Sequence, residues 1–442
     1  MIHLANILLV MADGAAARAL HGALTAESFT GPLIGSGAEA LAQARARRPD
    51  VVVVGEHPAD MTAMEFIRHL KDEQVTRDIP VFFAARDWHP ERLGELAAAG
   101  VDDALPADAE RSVLAARLRP LVRLSTMQAE LTHRTASAGR FGLSVSDHVD
   151  APSERPQVLV CGEAADVAAV TAAAGPGMDL TATDSLFEAD DLMSRRIFDC
   201  LVIAVDEAAA DQALDICTQI RRNPRLFNLP VVLLAEGADA AEMARAYVLG
   251  ASQVLPRHPD EDALRWALTT LVRRQQRRWA IRRAFDRTRL PALLSTDLPD
   301  LYTAAFLDAY LADRVTAAAA QGKPLSIIHF SFGGVARIEE EFGTPAGNHL
   351  RQQLGQWIIS LTRAEDLAAH LGGSRFAVAL PDTPLDEAEV VMQRIAGVIG
   401  YTDFAVQDVY QVVKVWPHVG AAAWTPGESA AALLARAEAA AD

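Results

Sequence analysis

Short, unbroken apolar runs recur along the first two thirds of the chain, each followed by an Ala- and Leu-rich segment. Ile7-Leu8-Leu9-Val10 returns about 150 residues later as Val158-Leu159-Val160-Cys161. Pro49-Asp50 followed by four valines returns as Phe198-Asp199-Cys200-Leu201-Val202-Ile203. Ile79-Pro80-Val81-Phe82-Phe83 returns as Leu229-Pro230-Val231-Val232-Leu233-Leu234, and Gly100-Val101-Asp102-Asp103 as Gly250-Ala251-Ser252-Gln253. Continuous apolar runs of this length predict parallel strands buried on both faces, and the intervening segments predict crossover helices. A period of this size means a repeated unit. Each unit is expected to be a doubly wound α/β domain, with any site at the carboxyl ends of its strands.

The pattern changes between the repeats and after them. Residues 126–155 are rich in Ser, Thr, His and charge, and predict a helix end followed by a linker. Arg273-Arg274-Gln275-Gln276-Arg277-Arg278-Trp279-Ala280-Ile281-Arg282-Arg283 sets Trp279, Ala280 and Ile281 against a strongly basic remainder, which suits a helix. A solvated connector is the expected use of such a charge run; a phosphate or partner contact is the sharper alternative. From Leu290 a new unit begins. Leu325-Ser326-Ile327-Ile328-His329-Phe330 predicts its first strand, and Leu367–Leu371 and Phe376–Leu380 predict a hairpin about Gly372-Gly373. The division expected is 1–125, 126–155, 156–285 and 286–442.

Length and charge narrow the picture. A chain of 442 residues is too long for one core and fits about three domains. Its formal net charge of −17 argues against general affinity for DNA or anionic membrane, so an anionic ligand needs a local arginine cluster. Cys161, Cys200 and Cys217 form no metal or disulfide spacing and read as reduced thiols, with a cytoplasmic setting expected. The run at Ile7–Val10 is too short to span a membrane, and no export signal is expected.

Near the C-terminus, Arg363-Ala-Glu-Asp366 is followed by five residues and then Gly372-Gly373-Ser374-Arg375-Phe376. This resembles the GGDEF (diguanylate cyclase) family, in which an Arg-x-x-Asp pair at that distance binds cyclic di-GMP. Arg-x-x-Asp also occurs at Arg47–Asp50 and Arg283–Asp286; its place before the Gly-Gly hairpin is what makes it specific. Leu298-Pro299-Asp300-Leu301-Tyr302 stands where the family has its opening segment. The two repeats resemble response-regulator receiver domains, flavodoxin-like in fold. The whole chain has the receiver–receiver–GGDEF layout of PleD-type regulators and is most similar to their catalytically degenerate cyclic di-GMP effectors.

The resemblance implies a phosphoacceptor, an acid pair that holds Mg²⁺ through carboxylate oxygens, a hydroxyl and a Lys in each receiver. In the first repeat these positions hold Gly55, Met11-Ala12, Ala85 and Ala107. In the second they hold Ala204, Gly162-Glu163, Ala235 and Arg257. A shift of register brings Glu56, Asp13 or Asp206 into play, and one carboxylate, Glu163, survives in place. Both repeats are expected to be structural platforms that dimerise or dock a partner.

For the cyclase reaction, the implied metal carboxylates fall on Ser331 and Gly333, and the acidic signature residues on Ser374 and Arg375. The guanine-recognising Asn and Asp fall on Glu339 and Asn348. Phe342-Gly343 and Gly347 match and fix the register. The phosphate-gripping residues of the family's tail are expected to lack a counterpart before Asp442. Each change removes a charge the metal-assisted chemistry requires. The expectation is therefore that the chain is not an enzyme, with no catalytic residue, metal or cofactor.

The Arg363/Asp366 pair is intact, and Arg394 matches the family's third pocket residue. A guanidinium can give two parallel bonds to guanine O6 and N7 or to phosphate, and a carboxylate can accept from N1 and N2. At about 3.3 Å per residue, the pair and the hairpin lie roughly 20 Å apart on one strand, so one site can change without the other. The expected function is a cyclic di-GMP receptor that recruits proteins. The resemblance implies protease adaptors, a cell-cycle role, a cell-pole setting and a homodimer. A diguanylate cyclase with residual activity and a nucleotide-independent receiver scaffold are the alternatives.

Overall fold

In the computed structural model, the structure describes residues 5–12, 14–85, 92–150, 154–206, 209–223, 225–237 and 240–441. Asp13 and Asp442 lie outside the described residues. Contacts divide the chain into two compact units: residues 5–125 with 150–280, and residues 126–149 with 281–442.

The first unit holds both repeats. In the first, strands β1 (Ala5–Val10), β2 (Phe29–Thr30), β3 (Leu33–Ile34), β4 (Val51–Gly55), β5 (Val81–Ala85) and β6 (Asp103–Pro106) alternate with helices α1 (Ala15–Ala26), α2 (Gly37–Arg47), α3 (Ala63–Asp72), α4 (Leu93–Ala98) and α5 (Arg111–Gly139). The sheet is parallel in the order β2-β1-β4-β5-β6, with β3 also on β1. Why β4 reads as unbroken valine is now explicit: Val52 and Val54 enter one core layer, Val51 and Val53 the opposite one. Helix starts are fixed locally. Thr62 and Glu65 form a reciprocal capping box at α3.

The second repeat runs β7 (Gln157–Cys161), α6 (Ala164–Ala174), β8 (Asp179–Thr183), α7 (Leu186–Arg195), β9 (Cys200–Val205), α8 (Ala210–Arg222), β10 (Val231–Ala235), α9 (Ala240–Leu249), β11 (Gln253–Pro256) and α10 (Glu261–Thr288). Its parallel order β11-β10-β9-β7-β8 is that of a flavodoxin-like doubly wound sheet. The repeats pack by exchange: Val113 of α5 joins the second core, and Trp266 of α10 joins the first.

The other unit carries β12 (Tyr302–Thr303), α11 (Ala304–Gln321), β13 (Leu325–Ser331), α12 (Gly333–Phe342), α13 (Thr344–Leu361), β14 (Leu367–Gly372), β15 (Arg375–Pro381), α14 (Leu385–Tyr401), β16 (His418–Ala423) and α15 (Ala430–Ala439). The sheet order is β12-β14-β15-β13-β16, mostly antiparallel. Strand alternation splits its core. Ile328, Phe330, Phe376 and Val378 face one layer, while Leu325, Ile327, Ala377 and Ala379 face the other.

Residues 126–139, within the segment expected to run into a linker, continue α5 and pack in this unit. Thr126 donates to Asp382 at 3.0 Å, Ser137 donates to Asp313 at 2.9 Å, and Ala138 enters the core beneath α11. Among the described residues no helix is long and apolar enough to cross a membrane.

The basic run lies in α10 and departs from a solvated connector. Arg273 donates to the carbonyls of Ala97 (3.3 Å) and Val101, and Arg277 donates to Asp78 at 2.8 Å. The Ala97 carbonyl, in the last turn of α4, also accepts from the Gly100 N–H at 3.1 Å, so Arg273 adds a second donor at that helix end and a further bond to Val101 just beyond it.

Candidate functional site

The turn Arg363–Asp366 leads from α13 into β14. The Asp366 carboxylate closes it: Oδ2 accepts from the Arg363 backbone N–H at 2.7 Å, and the Asp366 N–H donates to the Arg363 carbonyl at 3.2 Å. Asp366 is buried and Arg363 is exposed. The carboxylate is thus fixed by the backbone while the guanidinium faces solvent.

Two further arginines converge on the turn. Arg394, on α14, donates from Nη2 to the Leu361 carbonyl at 2.8 Å. Burial lowers its pKa, the nearby Arg363 charge lowers it further, and Asp366 opposes both. The three residues named from sequence therefore interact, with two guanidiniums against one carboxylate. Arg134, on α5, donates from Nη2 to the carbonyls of Ala364, Glu365 and Asp366 at 3.2, 2.7 and 2.8 Å. Its guanidinium lies 4.4 Å from the Phe285 ring centroid. Sequence reasoning missed Arg134. It lies some 230 residues from the turn, and its only local signal was a buried-phase position on a long helix.

At the other end of β14, Gly372 and Gly373 take φ of 97° and 60°, the left-handed geometry for which glycine is suited. Ser331 ends β13 and is in register with Arg375 on one side and His418 on the other. Gly333 opens α12, Ser374 accepts through its carbonyl from Phe332 N–H at 3.2 Å, and Arg375 pairs with Glu438 at 3.0 Å. A divalent cation of the Mg²⁺ kind needs carboxylate oxygens; Ser331, Gly333, Ser374 and Arg375 offer none, so this donor set does not fit one. Among the described residues no cluster of three His, Cys, Asp or Glu could hold a metal.

Glu339 and Asn348 come together across α12 and α13. Arg351 donates to Glu339 Oε2 at 2.7 Å and to Asn348 Oδ1. Its bond holds the Glu339 carboxyl below the usual range. The two positions at which the resemblance leads one to expect guanine recognition thus hold one carboxylate and one amide, bridged by Arg351.

In the first repeat Gly55 ends β4, and Met11 packs over it: a Cβ there would lie 2.7 Å from Met11 Cγ. Ala85 ends β5, and Ala107 follows β6. Glu56 pairs with Arg92 at 3.2 Å. In the second repeat Ala204 lies on β9 beside Gly162, and Ala235 ends β10. Arg257, just beyond β11, reaches Asp166 at 3.2 Å, Glu163 at 3.3 Å and Glu236 at 3.8 Å. Asp166 and Glu236 were not foreseen; Asp166 also accepts from the Glu163 backbone N–H at 3.0 Å at the start of α6. Asp206 caps its own turn by accepting from Ala209 N–H at 2.9 Å.

Residues 296–442 match the family described as "Diguanylate cyclase, GGDEF domain". The chain is 27% identical over 436 residues to the response regulator PleD of Caulobacter vibrioides, covering 98% of this chain and 95% of that protein. Similar solved structures include the GGDEF domain of PA1120 from Pseudomonas aeruginosa, at 23% identity and TM-score 0.32, covering 34% of this chain and 86% of that one. Another is the GGDEF domain of DgcB from Caulobacter crescentus in complex with c-di-GMP, at 18% identity and TM-score 0.33, covering 34% and 85%.

These matches correct the expectation that the chain is not an enzyme. The C-terminal third answers to the diguanylate cyclase family despite Ser331, Gly333, Ser374 and Arg375, and the likeness to PleD runs nearly end to end. The fold is α/β throughout, two receiver-type domains followed by a GGDEF domain, and the full-length likeness supports a response regulator of the PleD type.

Proposed function

We propose that this response regulator binds cyclic di-GMP through Arg363, Asp366 and Arg394. The observation that carries the reading is the convergence of an exposed guanidinium, a second guanidinium and a fixed carboxylate on one turn. In the proposed complex Arg363 and Arg394 take guanine O6 and N7 or a phosphate, and Asp366 takes the N1 and N2 donors. A bound anion also relieves the repulsion between the two arginines.

The division 1–125, 126–155, 156–285 and 286–442 is part of the proposal. So are a homodimer bridged by the symmetric ligand, a cytoplasmic and polar setting, and recruitment of proteins such as protease adaptors. These last rest on the sequence's resemblance to cyclic di-GMP effectors of the PleD-type layout. Ligand binding acts by its differential affinity for alternative arrangements of the chain.

A second reading, diguanylate cyclase turnover, is favoured by the match of residues 296–442 and by the adjoining Glu339 carboxylate and Asn348 amide. The two readings are compatible, since they use different residues: Arg363, Asp366 and Arg394 for the one, Glu339 on α12 and Asn348 on α13 for the other.

Calorimetry with cyclic di-GMP tests the first. Binding that Arg363→Ala weakens at least about tenfold, or ~1.4 kcal/mol, supports it; equal heats from both proteins leave the scaffold reading. Incubation with GTP and Mg²⁺ or Mn²⁺ tests the second. Cyclic di-GMP formation lost in Glu339→Ala supports turnover, and formation no faster than in a protein-free control removes it.

A further inference from the structure

Arg274, in the basic run of α10, lines a cavity of about 300 Å³ between the two receiver-type repeats. Arg117 and Arg119 of α5, Arg221 of α8, Tyr247 of α9 and Glu27 share the lining. Arg117 is engaged: Nε donates to Asp103 Oδ2 at 2.8 Å and Nη1 to the Tyr247 hydroxyl at 3.0 Å. Arg221 is held by neutral groups, the carbonyls of Phe227 (2.9 Å), Leu229 (2.9 Å) and Gly250 (2.6 Å) and the Ser252 hydroxyl (3.3 Å). Arg274, 11% exposed at its side chain, comes no nearer than 3.9 Å to Asp103.

Charge does not balance here. Four guanidiniums, at 117, 119, 221 and 274, share the lining with one carboxylate, Glu27, while Asp103 pairs with Arg117 and acts with Asp102 on Arg274 from behind, so the lining itself is net positive. Burial lowers the pKa of Arg221 to about 10, and the Arg274 charge pushes the same way. Burial also lowers Arg274; Asp103 and Asp102 oppose this and Arg117 adds to it. Buried like charges such as Arg221 and Arg274 are costly unless something neutralises them. The surplus is local, in a chain whose formal charge is −17.

We propose that this cavity binds a small phosphate-bearing dianion, with Arg119 and Arg274 gripping its oxygens and Arg221 completing the neutralisation. Guanidinium forks match phosphate geometry, and charged pairs of this type are short and strong. The volume is at the small end of ligand pockets. It suits inorganic phosphate or a small phosphate monoester, with pyrophosphate as a more highly charged probe. An occupant here touches α5, α8 and α10 at once, so it ties the repeats together and stabilises their packed state.

The test titrates inorganic phosphate and pyrophosphate into the full chain at constant ionic strength, with chloride and cyclic di-GMP as comparison arms. Binding is read by calorimetry and by the thermal midpoint. Expected is saturable binding and a raised midpoint for the wild type, with affinity reduced about tenfold or more in Arg274→Met and Arg119→Ala and unchanged in Arg363→Ala. Arg119 is exposed, so Arg119→Ala preserves the fold even if Arg274→Met does not. Cyclic di-GMP heat is expected to be lost in Arg363→Ala and kept in Arg119→Ala, so failure of this site and failure of the Arg363 site are read separately. No saturable binding, equal binding in wild type and both cavity variants, or a midpoint shift that chloride reproduces overturns the proposal.

Discussion

Replacing Arg134 by Met should loosen the Arg363–Asp366 turn without touching any residue assigned to the ligand. Arg134 is 4% exposed, and its Nη2 serves three consecutive carbonyls. Two of those bonds, at 2.7 and 2.8 Å, are short; the third, at 3.2 Å, is longer. A hydrogen bond from a charged donor contributes about 1.5–3 kcal/mol, and a buried carbonyl left without its donor costs ~1–3 kcal/mol. Removing the buried charge offsets part of this, since its desolvation cost disappears as well. Methionine keeps the apolar stem over Phe285. The net loss expected is about 3 kcal/mol in the unit that holds the turn. For a unit of this size that is a midpoint shift of about 6–12 °C.

The chain has two compact units, so a single unfolding free energy is the wrong readout. Calorimetric melting resolves the transitions, and amide hydrogen exchange at residues 363–366 reports the turn itself. Exchange there should accelerate in Arg134→Met, and cyclic di-GMP affinity should fall about tenfold, as ~1.4 kcal/mol of ordering moves into the binding step. If midpoint, exchange and affinity all match the wild type, Arg134 does not support the turn and the reasoning fails.

Other outcomes are equally checkable. Burial alone would raise the Asp382 pKa, but the Lys323 and Arg314 charges overcome it and hold the carboxyl below its ordinary value. The stability this contributes is present above the unfolded value, about pH 4, and is lost as pH falls through the folded value. Asp382→Asn should lower the neutral-pH midpoint and flatten the acid limb; asparagine tolerates the φ of 50° there. An unchanged acid limb counts against this. Burial pushes the Cys161 and Cys217 thiols up to about 11 and Cys200 up to about 12, so native labelling at pH 8 should be slow and complete only on unfolding. Beryllofluoride should leave exchange in both receiver-type repeats unchanged, because Gly55 and Ala204 present no acceptor oxygen; protection around β4 or β9 would contradict that.

The sheets were legible because two-sided burial writes itself into sequence as unbroken apolar runs. Val51–Val54, Cys200–Val205 and Val231–Ala235 all lie where such runs predict strands. The second strand of the first repeat was not legible. It breaks into Phe29–Thr30 and Leu33–Ile34, pieces too short to show a period. The hairpin at Gly372-Gly373 was legible because positive φ restricts residue choice. Partners of buried arginines were not. Arg134, Arg257 and Arg273 satisfy carbonyls or carboxylates brought near only by the fold, and a charge run looks the same whether it meets water or a helix end.

β14 separates two kinds of support, and that separation decides what mutations can report. At its start, the turn depends on Arg134, the Asp366 carboxylate and the Arg394 bond to Leu361. At its end, the hairpin depends on two positive-φ glycines and on His370, whose Nε2 is 3.1 Å from the Gly373 carbonyl while Nδ1 is 3.1 Å from the Ser295 hydroxyl. No residue is shared between the two sets. Gly373→Ala, which strains the hairpin by forcing an L side chain to φ of 60°, should therefore cost stability near β15 while leaving cyclic di-GMP affinity intact. Arg363→Ala should do the reverse. A Gly373→Ala protein that loses affinity as severely as Arg363→Ala would mean the strand transmits strain along its length, and binding and turnover could then no longer be assigned to independent ends.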